Sequence, residues 1–181
     1  MHGSHTSGNF LQSFPILLTL FGIAFLIYTY LKKKITLNVP KVTPQNSADF
    51  KDIIYNTLVA LGMDSDIAKY ATAQAAHETA NFSSALFLNY NNAFGMTYVK
   101  QSYANGGIQS GGYSYATYKT VQDSCKDLLS WYNVSMGKLS NVFLSIDSLA
   151  DYVSFLKTGN YFEADETEYL SGCQYYFDKY F

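Results

Sequence analysis

The alanine-rich segment AKYATAQAAHETANFSS, residues 68–84, limits the fold more than any other part of the chain. Ala68, Ala71, Ala75 and Ala76 predict a helix with small side chains on one side, open to close approach by a second helix. On helical spacing Glu78 shares a face with Ile67, Ala71, Gln74 and Ala75, so its carboxyl points inward with the apolar stripe. Desolvation there raises the pKa of a carboxyl group. Such a group holds a proton near neutral pH and can donate it. No Asp or Glu occurs between Thr79 and Gln122, so the stretch that follows offers no second carboxylate.

Further helix signals flank this segment. Ser47 is a candidate cap for a helix carrying Phe50, Ile53, Ile54, Leu58 and Leu61, with Gly62 at its end. Asp64 or Ser65 caps the alanine-rich helix. Residues 95–118 are rich in Tyr, Ser, Gly and Thr and predict a small antiparallel hairpin or irregular lobe. Asn105-Gly106 is the strong turn signal there, with Gly106-Gly107 and Gly111-Gly112 as further breaks. Helices resume at Thr120, whose pairing with Asp123 is an N-terminal capping pattern. A later helix carries Ile146, Leu149, Val153 and Leu156 and stops at Gly159. The last carries Tyr169, Leu170, Cys173, Tyr176 and Phe177. The fold class is α+β, mainly α: a helical domain with a small β-hairpin lobe.

The first third differs in character. Residues 1–13 form a polar leader, and His2 and His5 within it lack the further ligand that a metal site needs. Residues 14–31, FPILLTLFGIAFLIYTYL, carry no charge and as a helix would span about 27 Å, close to the thickness of a bilayer. Tyr28 and Tyr30 near one end, followed by Lys32, Lys33 and Lys34, suit an interfacial anchor. A cleaved signal peptide would place its positive charges before the apolar run and a small-residue site after it. The expectation is one retained transmembrane helix, a basic and proline-containing linker over 32–45, and a catalytic domain over 46–181. The positive-inside rule places everything after the lysines on the cytoplasmic side.

The chain has 181 residues and a formal charge of -2. All of its basic residues are lysines, scattered apart from the 32–34 cluster. With no arginine and no basic stripe, nucleic acid is not an expected partner. Seventeen tyrosines suit carbohydrate stacking, and equally suit ordinary strands and interfaces. Cys125 and Cys173 fall on apolar helix faces and are read as buried free thiols, with a disulfide the alternative in an oxidising compartment. Neither has a neighbour that completes a metal site.

The helix end AQAAHETANFSS followed by NYNNAFGM resembles the lysozyme-like glucosaminidase domain of bacterial and phage peptidoglycan hydrolases. The matching residues are Glu78, Thr79, Ser83 or Ser84, Asn91, Asn92, Phe94 and Gly95. Tyr115 to Asp123 is similar to that family's strand-to-helix step, and Leu156 to Tyr161 with Glu168 to Leu170 to its late segment. The resemblance covers Ser47 to the C-terminus. Two departures stand out. Many relatives carry Trp-Gly after the Glu-Thr pair where this chain has Asn81-Phe82, and many carry a second acid in the β lobe.

The resemblance implies a peptidoglycan glycoside hydrolase or lytic transglycosylase with Glu78 as catalytic acid. It implies Asn92, Tyr118 and Ser84 as substrate-binding residues, and no cofactor or metal. Tyr118 is read either as lining the cleft or as a strand residue packed on the hairpin. Asn91 is read as holding a turn, Phe94 as core, and His77 as a surface or structural group. With no carboxylate in the lobe, three routes complete the displacement: the substrate's acetamido group, its muramyl hydroxyl, or a distant acid such as Asp123 or one from Glu163 to Glu168. A single-acid mechanism is favoured, because the two-carboxylate geometry needs a partner within about 10 Å. The expected partners are bacterial peptidoglycan glycan strands and a lipid membrane. Lysines that place the domain away from the wall suggest the internal membrane of a virus particle, with other virion proteins as partners; otherwise the bacterial inner membrane holds it. The alternative function is an inactive cell-wall binding module or a structural membrane protein of a virion that reuses the fold.

Overall fold

The computed structural model describes residues 46–140, 142 and 145–181. The expectations for the leader, the apolar 14–31 segment and the linker lie outside them. All described residues belong to one unit of the chain, Val42–Phe181. Among them no helix is long and apolar enough to cross a membrane.

Among the described residues six helices and one hairpin follow in order: α1 Ser47–Ala60, α2 Ser65–Glu78, α3 Ala85–Tyr90, β1 Gly106–Ser110, β2 Tyr113–Thr117, α4 Val121–Leu139, α5 Leu149–Thr158 and α6 Glu166–Tyr180. Side-chain caps start them. Asn46, one residue before the expected Ser47, accepts from the amides of Ala48 and Asp49 at 2.9 and 3.1 Å. Asp64 caps α2, Ser148 α5 and Asp165 α6. Thr120 and Asp123 form the expected reciprocal cap of α4.

The alanine-rich α2 packs against α1, α5 and α6. Ala68, Ala71, Ala75 and Ala76 are fully buried, as close helix approach requires. Around them sit Ile54, Leu58, Phe87, Phe94, Leu128, Tyr152, Phe155 and Leu156. Gln74 in this core accepts a hydrogen bond from the Tyr152 hydroxyl at 2.7 Å.

Both α1 and α2 end in the same way, through a residue in the left-handed region. At α1 that residue is Gly62, with φ +93, and Met63 N–H donates to the carbonyl of Leu58. At α2 it is Ala80, with φ +49, and Asn81 N–H donates to the carbonyl of Ala76. This is the helix-ending pattern that favours glycine. Asn81 and Phe82 continue in the left-handed region, at φ +60 and +64. Thr79 pins the turn: its hydroxyl donates to Ala75 O at 2.6 Å and accepts from Phe82 N–H at 2.9 Å. Asn81 ties the turn to both ends of the domain, through Ser47 and the Tyr180 hydroxyl.

The hairpin is antiparallel, pairing Gly106 with Thr117 through Ser110 with Tyr113. Its turn is Gly111-Gly112, at φ +57 and +86, not Asn105-Gly106. Two consecutive positive φ values match the twist of paired strands. Asn105 instead donates its N–H to Thr117 O at the open end. The segment holding Met96, Thr97 and Tyr98 runs along the other edge of β2, with Thr97 bridged to Tyr115.

Candidate active site

Glu78 is the last residue of α2, where the helix meets the left-handed turn. Its carboxyl is partly buried and its pKa is raised by desolvation, against an opposing effect of the hydrogen bond from Tyr169. The Tyr169 hydroxyl, on α6, donates to Oε1 at 2.5 Å. The other oxygen faces Gly95. A Cβ built on Gly95 would lie 2.8 Å from Oε2, and Gly95 has φ +62. Glycine is therefore favoured there twice, for its backbone conformation and because a Cβ would displace the carboxyl. With Oε1 accepting from Tyr169, Oε2 is the oxygen left to carry a proton.

The loop beneath the acid is built by the Asn-Asn-x-Phe-Gly segment. Asn91 caps α3 in the left-handed region at φ +54, and its amide donates to the carbonyls of Tyr118 and Lys119. Asn92 is 1% exposed. Its amide donates to Met96 O and Ala116 O, both at 2.9 Å, and its oxygen accepts from Met96 N–H at 3.0 Å. Phe94 is fully buried, and its carbonyl accepts from the Tyr161 hydroxyl at 2.7 Å.

A groove of about 690 Å³ opens beside this loop. Gly95, Met96 and Gln101 line one side, Asp127, Trp131 and Lys138 on α4 another, and Tyr161 a third. Glu78 does not itself line it, but meets its wall through Gly95. The volume falls in the usual range for ligand clefts, about 300–1,000 Å³. Trp131 is held by perpendicular contacts with Tyr161 and Phe155, and by Gly159, where a Cβ would come within 3.0 Å of the indole.

A second carboxyl does line the groove, on α4 instead of in the lobe. Asp127 is 2% exposed; Oδ1 accepts from Tyr103 N–H at 3.2 Å, and Oδ2 is buried with no hydrogen-bond partner. Burial pushes its pKa up, while the Tyr103 amide and the nearby Tyr118 hydroxyl pull it down. None of the acids suggested by sequence lines the groove. Asp123 caps α4 and pairs with Lys126 at 2.7 Å. Asp165 caps α6, Glu163 and Glu168 are exposed, and Glu166 is half-buried in the first turn of α6. Asp127 escaped notice because it lies on an amphipathic helix whose buried positions read as core. Tyr169 escaped because it meets Glu78 across 91 residues of sequence.

The three residues expected to contact substrate are placed as follows. Every hydrogen-bonding group of Asn92 goes to backbone, so the expectation that it touches substrate is replaced by a structural role: it joins the loop to the lobe. Tyr118 is 4% exposed; its hydroxyl accepts from Gln101 at 3.4 Å and meets Met96 Sδ at 3.6 Å, both of which line the groove. It supports the groove wall without forming it. Ser84 caps α3, accepting from Phe87 N–H at 3.3 Å, and is not a groove residue. His77 is partly buried, with its pKa lowered by desolvation, and packs on Tyr169. Cys125 and Cys173 are both free and buried. Among the described residues no group of three or more metal-ligating side chains comes together.

The domain thus defines a class: a helical α+β fold with a two-stranded lobe and a partly desolvated acid at the end of its central helix. Solved structures share that fold. One is a chain of a type VI secretion system effector–immunity complex from Pseudomonas protegens, 13% identical, with TM-score 0.56 over 74% of this chain and 90% of that one. Another is the catalytic domain of the autolysin Auto from Listeria monocytogenes, 20% identical, with TM-score 0.52 over 83% of this chain and 93% of that one. No family model and no curated protein matches the sequence.

Proposed function

We propose that the protein is a peptidoglycan-cleaving glycosidase, hydrolase or lytic transglycosylase, with Glu78 as general acid. The observation that carries this reading is the state of Glu78. Its carboxyl is partly desolvated, which raises its pKa; it accepts one hydrogen bond from Tyr169 and turns its other oxygen toward the Gly95 wall of a groove. The fold shared with an autolysin catalytic domain supports the substrate class.

In this reading a glycan strand lies in the groove with its scissile oxygen at the Gly95 end. Glu78 gives the proton on Oε2 to the departing oxygen, as glycosidic cleavage requires. The oxocarbenium-like centre is then quenched by water, by the substrate's acetamido group, or by its muramyl hydroxyl. Asp127 is the other carboxyl bordering the groove among the described residues, and it can accept a hydrogen bond from the attacking water or from a sugar hydroxyl. Trp131 offers an aromatic surface to a sugar. Lys138 lies about 16 Å along α4 from Asp127, at a rise of about 1.5 Å per residue. None of the described ion pairs includes it, and residues 1–45, 141, 143 and 144 contain no Asp or Glu. It suits a carboxylate of the stem peptide.

The apolar 14–31 segment is read as an anchor in a bilayer, in a virus particle or the inner membrane. The full chain then needs detergent to stay dispersed. Incubation of the detergent-solubilised protein with purified cell walls tests activity directly. Mass spectrometry of the released muropeptides identifies the bond cut, and an anhydro product marks attack by the muramyl hydroxyl. Binding to walls with no release supports the inactive-module alternative.

A further inference from the structure

Tyr169 is the direct hydrogen-bonding partner of Glu78, and its own placement is unusual. Its ring stacks on Phe162 with centroids 3.8 Å apart and planes only 4° apart. His77 packs perpendicular to it, at 4.9 Å and 85°. The phenol is thereby bracketed by two rings, one from the loop before α6 and one from the turn of α2 that bears the acid.

Each bracket is itself fixed. Lys157 places its ammonium over the Phe162 ring, 5.1 Å from the centroid. The same ammonium donates to the carbonyls of Glu163 and Ala164, at 3.0 and 2.6 Å, and so clamps the loop just after Phe162. His77 lies against Gly172 of α6, where a Cβ would fall 2.2 Å from Cε1 and 2.3 Å from Nδ1. The histidine therefore needs a glycine at that point of α6 in order to reach Tyr169.

The geometry points to Phe162 and His77 as positioning residues that hold the Tyr169 phenol against Glu78 and so set the pH at which the acid keeps its proton. The hydrogen bond from Tyr169 favours the ionised carboxylate and opposes desolvation, which favours the protonated form. A phenol free to swing away leaves desolvation unopposed. Among the described residues the other titratable groups near Glu78 are Tyr169 and Cys173 on α6, Tyr152 on α5, Tyr161 in the loop after α5, and His77 beside it on α2. Burial disfavours the charged form of each of these, so the Tyr169 hydrogen bond is the main brake on the upward shift.

The inference rests on Glu78 being the acid only for its kinetic arm. The experiment is a carboxyl-carbon NMR titration of Glu78 in full-length protein, for wild type, Phe162→Leu, Phe162→Tyr and Gly172→Ala. Gly172→Ala leaves Glu78 and Tyr169 themselves unaltered but displaces His77, and it serves where Phe162→Leu fails to fold. The Glu78 midpoint should move upward in Phe162→Leu and Gly172→Ala and stay at the wild-type value in Phe162→Tyr, which keeps the stack. In wall lysis the alkaline limb of the pH profile should move the same way. The plateau kcat should fall roughly two- to tenfold at unchanged KM, the worth of one aromatic contact. Wild-type midpoints in folded Phe162→Leu and Gly172→Ala would overturn the proposal. Shifted midpoints in a protein that cuts no wall would uphold the positioning and remove the glycosidase reading instead.

Discussion

Gly95 and Glu78 are in contact across 17 residues of chain: a Cβ at Gly95 would lie 2.8 Å from the Glu78 carboxylate oxygen. The motif glycine and the helix acid are thus parts of one device. The left-handed turn of the loop brings backbone, with no side chain, up to the carboxyl oxygen that does not bond Tyr169. Gly95→Ala should cost about 1–2 kcal/mol from the φ of +62 alone. It should also push the carboxyl out of line, so that lysis falls more than stability does. Urea unfolding and wall turbidity on the same preparation separate the two effects.

Ala80 sits where Gly62 sits in the equivalent turn of α1, yet carries a Cβ at φ +49. Ala80→Gly should remove a strain of about 1–2 kcal/mol and lose about 0.4–1 kcal/mol to the freer unfolded chain. The net expectation is a gain on the order of 0.5–1 kcal/mol, read as a higher urea midpoint. A lower midpoint would mean that the three left-handed residues are held by more than the Thr79 and Asn81 contacts.

The raised pKa of Glu78 has a consequence for stability. The folded protein holds this proton more tightly than the unfolded chain. Glu78 therefore imposes no penalty below the unfolded carboxyl pKa, and stability falls as pH rises from there through the folded pKa. Glu78→Gln removes the titration. The variant should match wild type in acid and melt at a higher temperature above the folded pKa, with the difference levelling off at alkaline pH. Parallel melting curves across pH would contradict the desolvation of this carboxyl.

Cys125 and Cys173 are buried, and burial pushes both thiols well above their usual pKa. A thiol kept protonated is a poor nucleophile. Neither should react with a thiol reagent in the native state at neutral pH, and both should react once the protein is unfolded in urea. Reducing agent should leave the melting temperature unchanged.

Much of the framework was legible because local chemistry fixes it. Asp64, Thr120 and the Gly62 stop could be read directly, and the alanines of α2 announced close packing. The hairpin turn moved to Gly111-Gly112 because pairing with β2 draws Asn105 into the end of the ladder, which overrides its turn preference. The short helix Ala85–Tyr90 shows too few turns for a period to emerge. Within the site, Glu78 was visible because its own helix sets its direction. Tyr169, Phe162 and Asp127 were not, because their meaning comes from residues far along the chain. Asn92 was visible as a motif residue, but motif membership does not separate a residue that touches substrate from one that holds the loop.

The most direct test of Glu78 as general acid is wall lysis by the full-length protein beside its Glu78→Gln variant. Both would be checked for folding and incubated in detergent with purified peptidoglycan, with released muropeptides counted by mass spectrometry. Removing a positioned general acid should lower the rate on the order of a hundredfold or more. Wild type should release glycan fragments and the folded variant almost none. Release by the variant at a rate near wild type, or no release by folded wild type, would contradict the account.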